Sequence, residues 1–132
     1  MATVNLIEYA DASAEVRAIY DDIRAFRKTD FINNFWRALA NDPAQLRRTW
    51  EGIKAVMAPG ALDPLTKELI YIAVSVANSC EYCIHSHTAA ARAKGMTDEQ
   101  FAELMAVIGM AHSTNALVTT MQVAVDDEFK RG

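Results

Sequence analysis

Proline and glycine are scarce in this chain of 132 residues, at 3 and 5, and no run of Lys and Arg exceeds a pair. With a hydrophobic share of 52%, that scarcity argues against a disordered or loop-rich chain. The net charge of −4, from 13 basic and 17 acidic residues, leaves no electrostatic footprint for a nucleic-acid partner. The alternating pattern of strands does not recur, and neither a low-complexity segment nor a repeat at solenoid spacing is present. The first residues, Met1 to Glu8, lack the basic and apolar regions of a secretory signal. The longest apolar-rich run, Leu69 to Ala77, contains Tyr71 and Ser75 and falls far short of a bilayer span. A cytoplasmic protein with no membrane contact is the expectation. Cysteine is nearly absent too, with 2 residues, and a pair so closely spaced closes too small a loop to act as a staple.

What is present is helical periodicity. Ser13 can cap a helix carrying Val16, Ile19, Tyr20, Ile23 and Phe26 that ends near Arg27-Lys28. Asn33 or Asn34 can open a short helix through Phe35, Trp36, Leu39 and Ala40. Asp42-Pro43 places a cap before a proline at the first helical position, leading Leu46, Trp50, Ile53 and Val56-Met57 until Pro59-Gly60 stops the helix. Asp63-Pro64 repeats the device for a helix over Leu65 to about Asn78, and a further helix runs from Cys80 to Gly95. Thr97-Asp98-Glu99-Gln100 reads as a capping box opening the last long segment, with Gly109 a bend and Asp126-Asp127 a break. Residues 1–132 therefore read as one all-α domain, a bundle of about six helices.

The helix before the cysteines has hardly any polar face and reads as buried on most sides. Set into it at i, i+3 and i+7 are Glu68, Tyr71 and Ser75, which share a stripe. A carboxylate buried there would have a raised pKa and could transfer protons; an ordinary one would sit at the helix edge in water or pair with Lys54 or Lys67.

Both cysteines and two of the three histidines fall in Cys80-Glu81-Tyr82-Cys83-Ile84-His85-Ser86-His87. Cysteines three apart on a helix lie on one face, near the separation a disulfide needs, and a histidine four residues later stacks on that face. Cys80, Cys83 and His87 thus form one stripe, and His85, about 140° round the helix from Cys80, points elsewhere. The pair can be two small buried residues, half a zinc site or a redox couple. Zinc would want a fourth ligand, and only His112 remains to offer one, so no metal site is expected. Redox chemistry fits best, since amides and the dipole of a helix N-terminus favour thiolate, yet the residues alone leave all three open.

Glu68, eleven intervening residues, Cys80-x-x-Cys83 and then x-x-x-His87 resemble the core motif of the alkylhydroperoxidase D-like branch of the carboxymuconolactone decarboxylase superfamily. The motif core covers residues 64–95, and a similar helical order covers roughly Ala40 to Val125. The resemblance implies an all-helical fold in which Cys83 is the peroxide-attacking thiolate and Cys80 its resolving partner and proton donor. Glu68 and His87 form a proton relay. It further implies a Cys80–Cys83 disulfide as the oxidised state, and an external dithiol, thioredoxin-like or lipoyl, as reductant. Tyr82 stands where the branch often has histidine, and a phenol with a pKa near 10 is the poorer base, which points to a simpler relay. Decarboxylation is disfavoured, because the decarboxylase branch generally lacks the cysteine pair.

The expectation is thus a thiol-dependent peroxidase acting on hydroperoxides. The alternatives are a general thiol-disulfide oxidoreductase, or a non-enzymatic helical oligomer that binds metal or ligand or senses redox state. Phe35, Trp36, Trp50, Phe101, Met105, Met110 and Met121 read as core or interface, since no flavin, nucleotide or haem signature accompanies them and no cofactor is expected. Tyr82, Tyr71 and His85 are candidates for orienting substrate, although His85 and His112 read by default as surface histidines. Apolar residues exceed what one small core hides, so a homo-oligomer is expected, which the resemblance implies to be a trimer or hexamer.

Overall fold

The computed structural model describes residues 2–130, and the expectation of an all-α chain is met. The helices are α1 (Ala14–Arg27), α2 (Asn34–Leu39), α3 (Pro43–Met57), α4 (Pro64–Ala77), α5 (Glu81–Ala93) and α6 (Asp98–Met121), with 3-10 turns at Tyr9–Asp11 and Asp127–Lys130. Local chemistry explains the boundaries. The side chains of Ser13, Asp42 and Asp63 accept from the backbone N–H groups of Val16, Gln45 and Thr66, and Thr97 with Gln100 forms both bonds of a capping box. Caps of this kind stabilise a helix by about 1 kcal/mol each. Lys28 and Gln122, both left-handed, end α1 and α6.

The residues divide into two compact units, one through Ala58 and one from Pro59 on. In the first, Val16, Ile19, Tyr20 and Ile23 of α1 pack with Trp36, Leu46 and Trp50. Trp36 and Trp50 meet edge to face at 5.4 Å, and the Trp50 indole N–H donates to Asp22 at 2.6 Å. Phe26 and Val56, expected on the inner faces, are exposed in this unit; Phe26 lays its ring edge against Trp50 at 5.5 Å instead. In the second unit Ile72, Ala91 and Met96 form a small core, with Leu65, Leu69, Val76, Phe101 and Leu104 packed against it.

Two expectations for this second unit are corrected. α4 is not buried on most sides: it buries Glu68, Ile72 and Ser75, and leaves Ile70 and Val74 about half exposed on another face. α6 runs through Gly109 as one unbroken helix, since one glycine costs a helix about 1 kcal/mol without breaking it, and nothing lies within 4 Å of where its Cβ would be. α6 also spans 24 residues and is, by length and composition, apolar enough to cross a membrane, the one such helix among the described residues. Counting uninterrupted apolar runs missed it because Glu103, Gly109, His112 and Ser113 punctuate the stretch. Within its own unit α6 sets Phe101 and Leu104 on the core and leaves large apolar residues such as Met110 (64% exposed) and Leu117 (58%) uncovered.

Candidate active site

The site is built on the α4–α5 pair, which lie side by side across a three-residue turn. Ser79 makes the turn with φ of 53°, an uncommon conformation for a residue with a side chain. The N–H groups of Asn78, Ser79 and Cys80 return to the carbonyls of Val74, Val76 and Ser75 at 2.9, 3.1 and 2.9 Å. Cys80 therefore stands as the N-cap of α5 rather than inside it, and α5 ends at Ala93, two residues before Gly95, whose φ of 94° suits glycine. Cys83 and His87, at i and i+4, share a helical face.

Glu68 is only 4% exposed. Its Oε2 lies 2.7 Å from His87 Nδ1, and its Oε1 accepts from Lys94 Nζ at 3.0 Å. The edge-of-helix reading for Glu68 does not hold, and its cation is Lys94 rather than Lys54, which binds Asp22 and Glu51. The expected rise in its pKa is also corrected. Burial is the largest influence and pushes the carboxyl up, but hydrogen bonds from His87 and Lys94, with the charges of both, outweigh it and leave the group below the usual carboxylate range.

Tyr71 stacks on the His87 ring with centroids 3.6 Å apart and planes within 19°. Burial first, then negative charge at Cys83, Cys80 and Glu68, pushes its phenol up, so the thiol pair and the carboxylate both act on this ring. Ser75 completes the stripe by donating its hydroxyl to the Tyr71 carbonyl at 2.7 Å.

Both cysteines are free thiols, half-buried and interacting through their side chains. The Cys80 thiol is lowered by its bond with the Cys83 thiol and then by the Cys83 backbone amide, which acts on the sulfur without the full geometry of a cap. Burial, then the Cys80 thiol and its charge, pushes Cys83 up to about 11. In the resting pair the thiolate is thus favoured on Cys80.

The structure brings together Glu68, Tyr71, Cys80, Cys83 and His87. Tyr82, His85 and His112 have exposed side chains, and the Ser86 hydroxyl donates to the Cys83 carbonyl at 3.3 Å. Among the described residues no group of three His, Cys, Asp or Glu side chains converges as a metal would require. A cleft of about 200 Å³ in the first unit, bordered by Tyr9, Arg24, Phe31 and Arg37, holds none of the candidate site residues. Lys94 was not anticipated. Its signal was its place two helical turns after His87, on the same face and just before Gly95.

Residues 43–126 match the Carboxymuconolactone decarboxylase family. The chain belongs to that family. Its place is in the alkylhydroperoxidase D-like branch. A crystal structure titled alkylhydroperoxidase AhpD core, from Rhodospirillum rubrum ATCC 11170, superposes with a TM-score of 0.96 at 64% identity, covering 100% of this chain and 99% of that one. The alkyl hydroperoxide reductase AhpD of Anaeromyxobacter sp. (strain K) is 30% identical over 79% of this chain, which spans 58% of that relative's length. A Paracoccus denitrificans protein described as uncharacterized protein 4 in cox locus is 39% identical over 53% of this chain and 69% of its own length.

Proposed function

We propose that the protein is a thiol-dependent peroxidase that reduces hydroperoxides with the Cys80/Cys83 pair and is restored by an external dithiol. The observation that carries this reading is the 2.7 Å contact between buried Glu68 and His87, a helical turn from Cys83. A thiol whose pKa is pushed to about 11 is not a nucleophile at neutral pH unless a base takes its proton, and a carboxylate-oriented imidazole is such a base. Proton transfer to His87 makes Cys83 a thiolate, which attacks the outer peroxide oxygen. The O–O bond breaks, the alkoxide leaves with a proton from Cys80, and Cys83 becomes a sulfenic acid. Cys80 then condenses with it, releasing water and closing the Cys80–Cys83 disulfide. A thioredoxin-like or lipoyl dithiol reduces that disulfide by exchange. No cofactor takes part, and the cycle belongs in a reducing compartment such as the cytoplasm.

The resting electrostatics favour a second assignment within the same cycle. Since Cys80 is the lowered thiol and Cys83 the raised one, Cys80 can attack while Cys83 protonates the leaving oxygen. Peroxide consumption by Cys80→Ser and Cys83→Ser, with dimedone labelling of the surviving cysteine, tests both. We expect Cys83→Ser to abolish turnover and Cys80→Ser to accumulate sulfenic acid at Cys83; label only on Cys80 in Cys83→Ser reverses the roles. Unchanged turnover in both variants would overturn the peroxidase reading.

The reading extends to assembly. The exposed apolar faces of α4 and α6, with Ile70, Val74, Met110, Leu117 and Met121 each about half or more exposed, fit contact with further copies of the chain in a trimer or hexamer.

A further inference from the structure

The Glu68 carboxylate holds two partners at once, and they have different consequences. A buried carboxyl facing only a neutral imidazole gains by keeping its proton. Protonated, it donates to His87 Nδ1, which places the imidazole hydrogen on Nε2 and leaves that nitrogen unable to accept another. As an anion it accepts from Nδ1–H, and Nε2 keeps its lone pair. The ammonium of Lys94, 3.0 Å from Oε1, is the charge that separates these states, and its side chain is 39% exposed, so it stays solvated while it acts. Among the described residues the groups acting on Glu68 are His87 and Lys94, both contributed by the α5 end of the site. Tyr71, Cys80 and Cys83 complete the titratable set around the relay, and the residues of α6 packed on this core, Phe101 and Leu104, are apolar.

We propose that Lys94 is a positioning residue that, through Glu68, holds His87 with its hydrogen on Nδ1 and its Nε2 free to take a cysteine proton. The inference rests on the relay role given to His87 above, but its primary test requires no peroxide. Nitrogen-15 NMR of labelled histidine reports which ring nitrogen carries the hydrogen. In the wild type the Nδ1–H form of neutral His87 dominates from pH 6 to 8. In Lys94→Met and in Lys94→Gln, which retains a donor without the charge, the Nε2–H form gains as the pH falls; Lys94→Arg restores the wild-type ratio. An unchanged ratio in Lys94→Gln overturns the proposal, even if Lys94→Met were to misfold.

The second arm is the rate at which the cysteines react with iodoacetamide. Loss of one partly exposed charge-assisted hydrogen bond should slow it about fivefold at pH 6 in Lys94→Met. In the Glu68→Gln background the same change should add nothing, whereas a further fivefold loss there would show that Lys94 acts by another route and would overturn the proposal. A protein inert to hydroperoxides but with the expected tautomer shift would sink the peroxidase reading and leave this one standing.

Discussion

Removing Cys80 should make Cys83 more reactive, not less. Cys83 is held about two pH units above its ordinary value of 9.0, first by burial and then by the thiol and charge of Cys80. Two units correspond to about a 100-fold smaller thiolate fraction at pH 7. A thiolate of lower pKa is intrinsically less nucleophilic, with a Brønsted coefficient of about 0.45, so full relief would return about eightfold of that gain. The net ceiling is about twelvefold. Burial is the leading cause and survives the substitution, so Cys80→Ala should speed alkylation of Cys83 by about threefold. Cys83→Ala should act oppositely on Cys80, which loses the hydrogen bond that lowers it. The assay is iodoacetamide labelling at pH 7 with peptide mass spectrometry to assign the site. Slower labelling of Cys83 in Cys80→Ala would refute the reasoning, because Cys80 would then be assisting the ionisation of its neighbour rather than opposing it.

Acid should weaken the fold partly through Glu68: held below its ordinary value of 4.5 when folded, it contributes stability above that pH and loses it as the pH falls through the folded value. Urea midpoints at pH 7 and pH 3 should therefore differ less in Glu68→Gln than in wild type, and equal differences would count against it. Leu117→Glu on the uncovered face of α6 should reduce the native mass in light scattering toward that of a single chain, and an unchanged oligomer would place the contact elsewhere. Trp50→Ala, which empties a fully buried site and removes the indole hydrogen bond to Asp22, should cost about 3–5 kcal/mol in urea unfolding.

The helix starts were legible because caps are local: Asp63 and the Thr66 amide are three residues apart, and the chain needs no distant partner to bring them together. The Glu68, Tyr71, Ser75 stripe was legible for the same reason. Lys94 was hidden because its partner lies 26 residues away, on a neighbouring helix whose rotation the sequence does not specify. The sign of the Glu68 shift was missed for that reason too, since burial alone raises a carboxyl and the hydrogen bonds and charges of His87 and Lys94 together reverse it. Apolar content overstated the burial of α4 and gave no warning of how α6 distributes its large side chains, whose exposure depends on what packs against them.

All of the polar contacts that define the site are made within residues 68 to 94, between two helices joined by Asn78, Ser79 and Cys80. Pairings this close in sequence carry a small loop-closure cost and are among those a folding chain can make first. The α4–α5 hairpin should therefore gain hydrogen-exchange protection early in refolding, ahead of the contacts that α6 makes with it, and late protection of the Cys83 and His87 amides would contradict this. On that order of events, the chemistry of the site is installed before its surroundings, and sequence change in α6 can accumulate with little effect on how Glu68 finds His87.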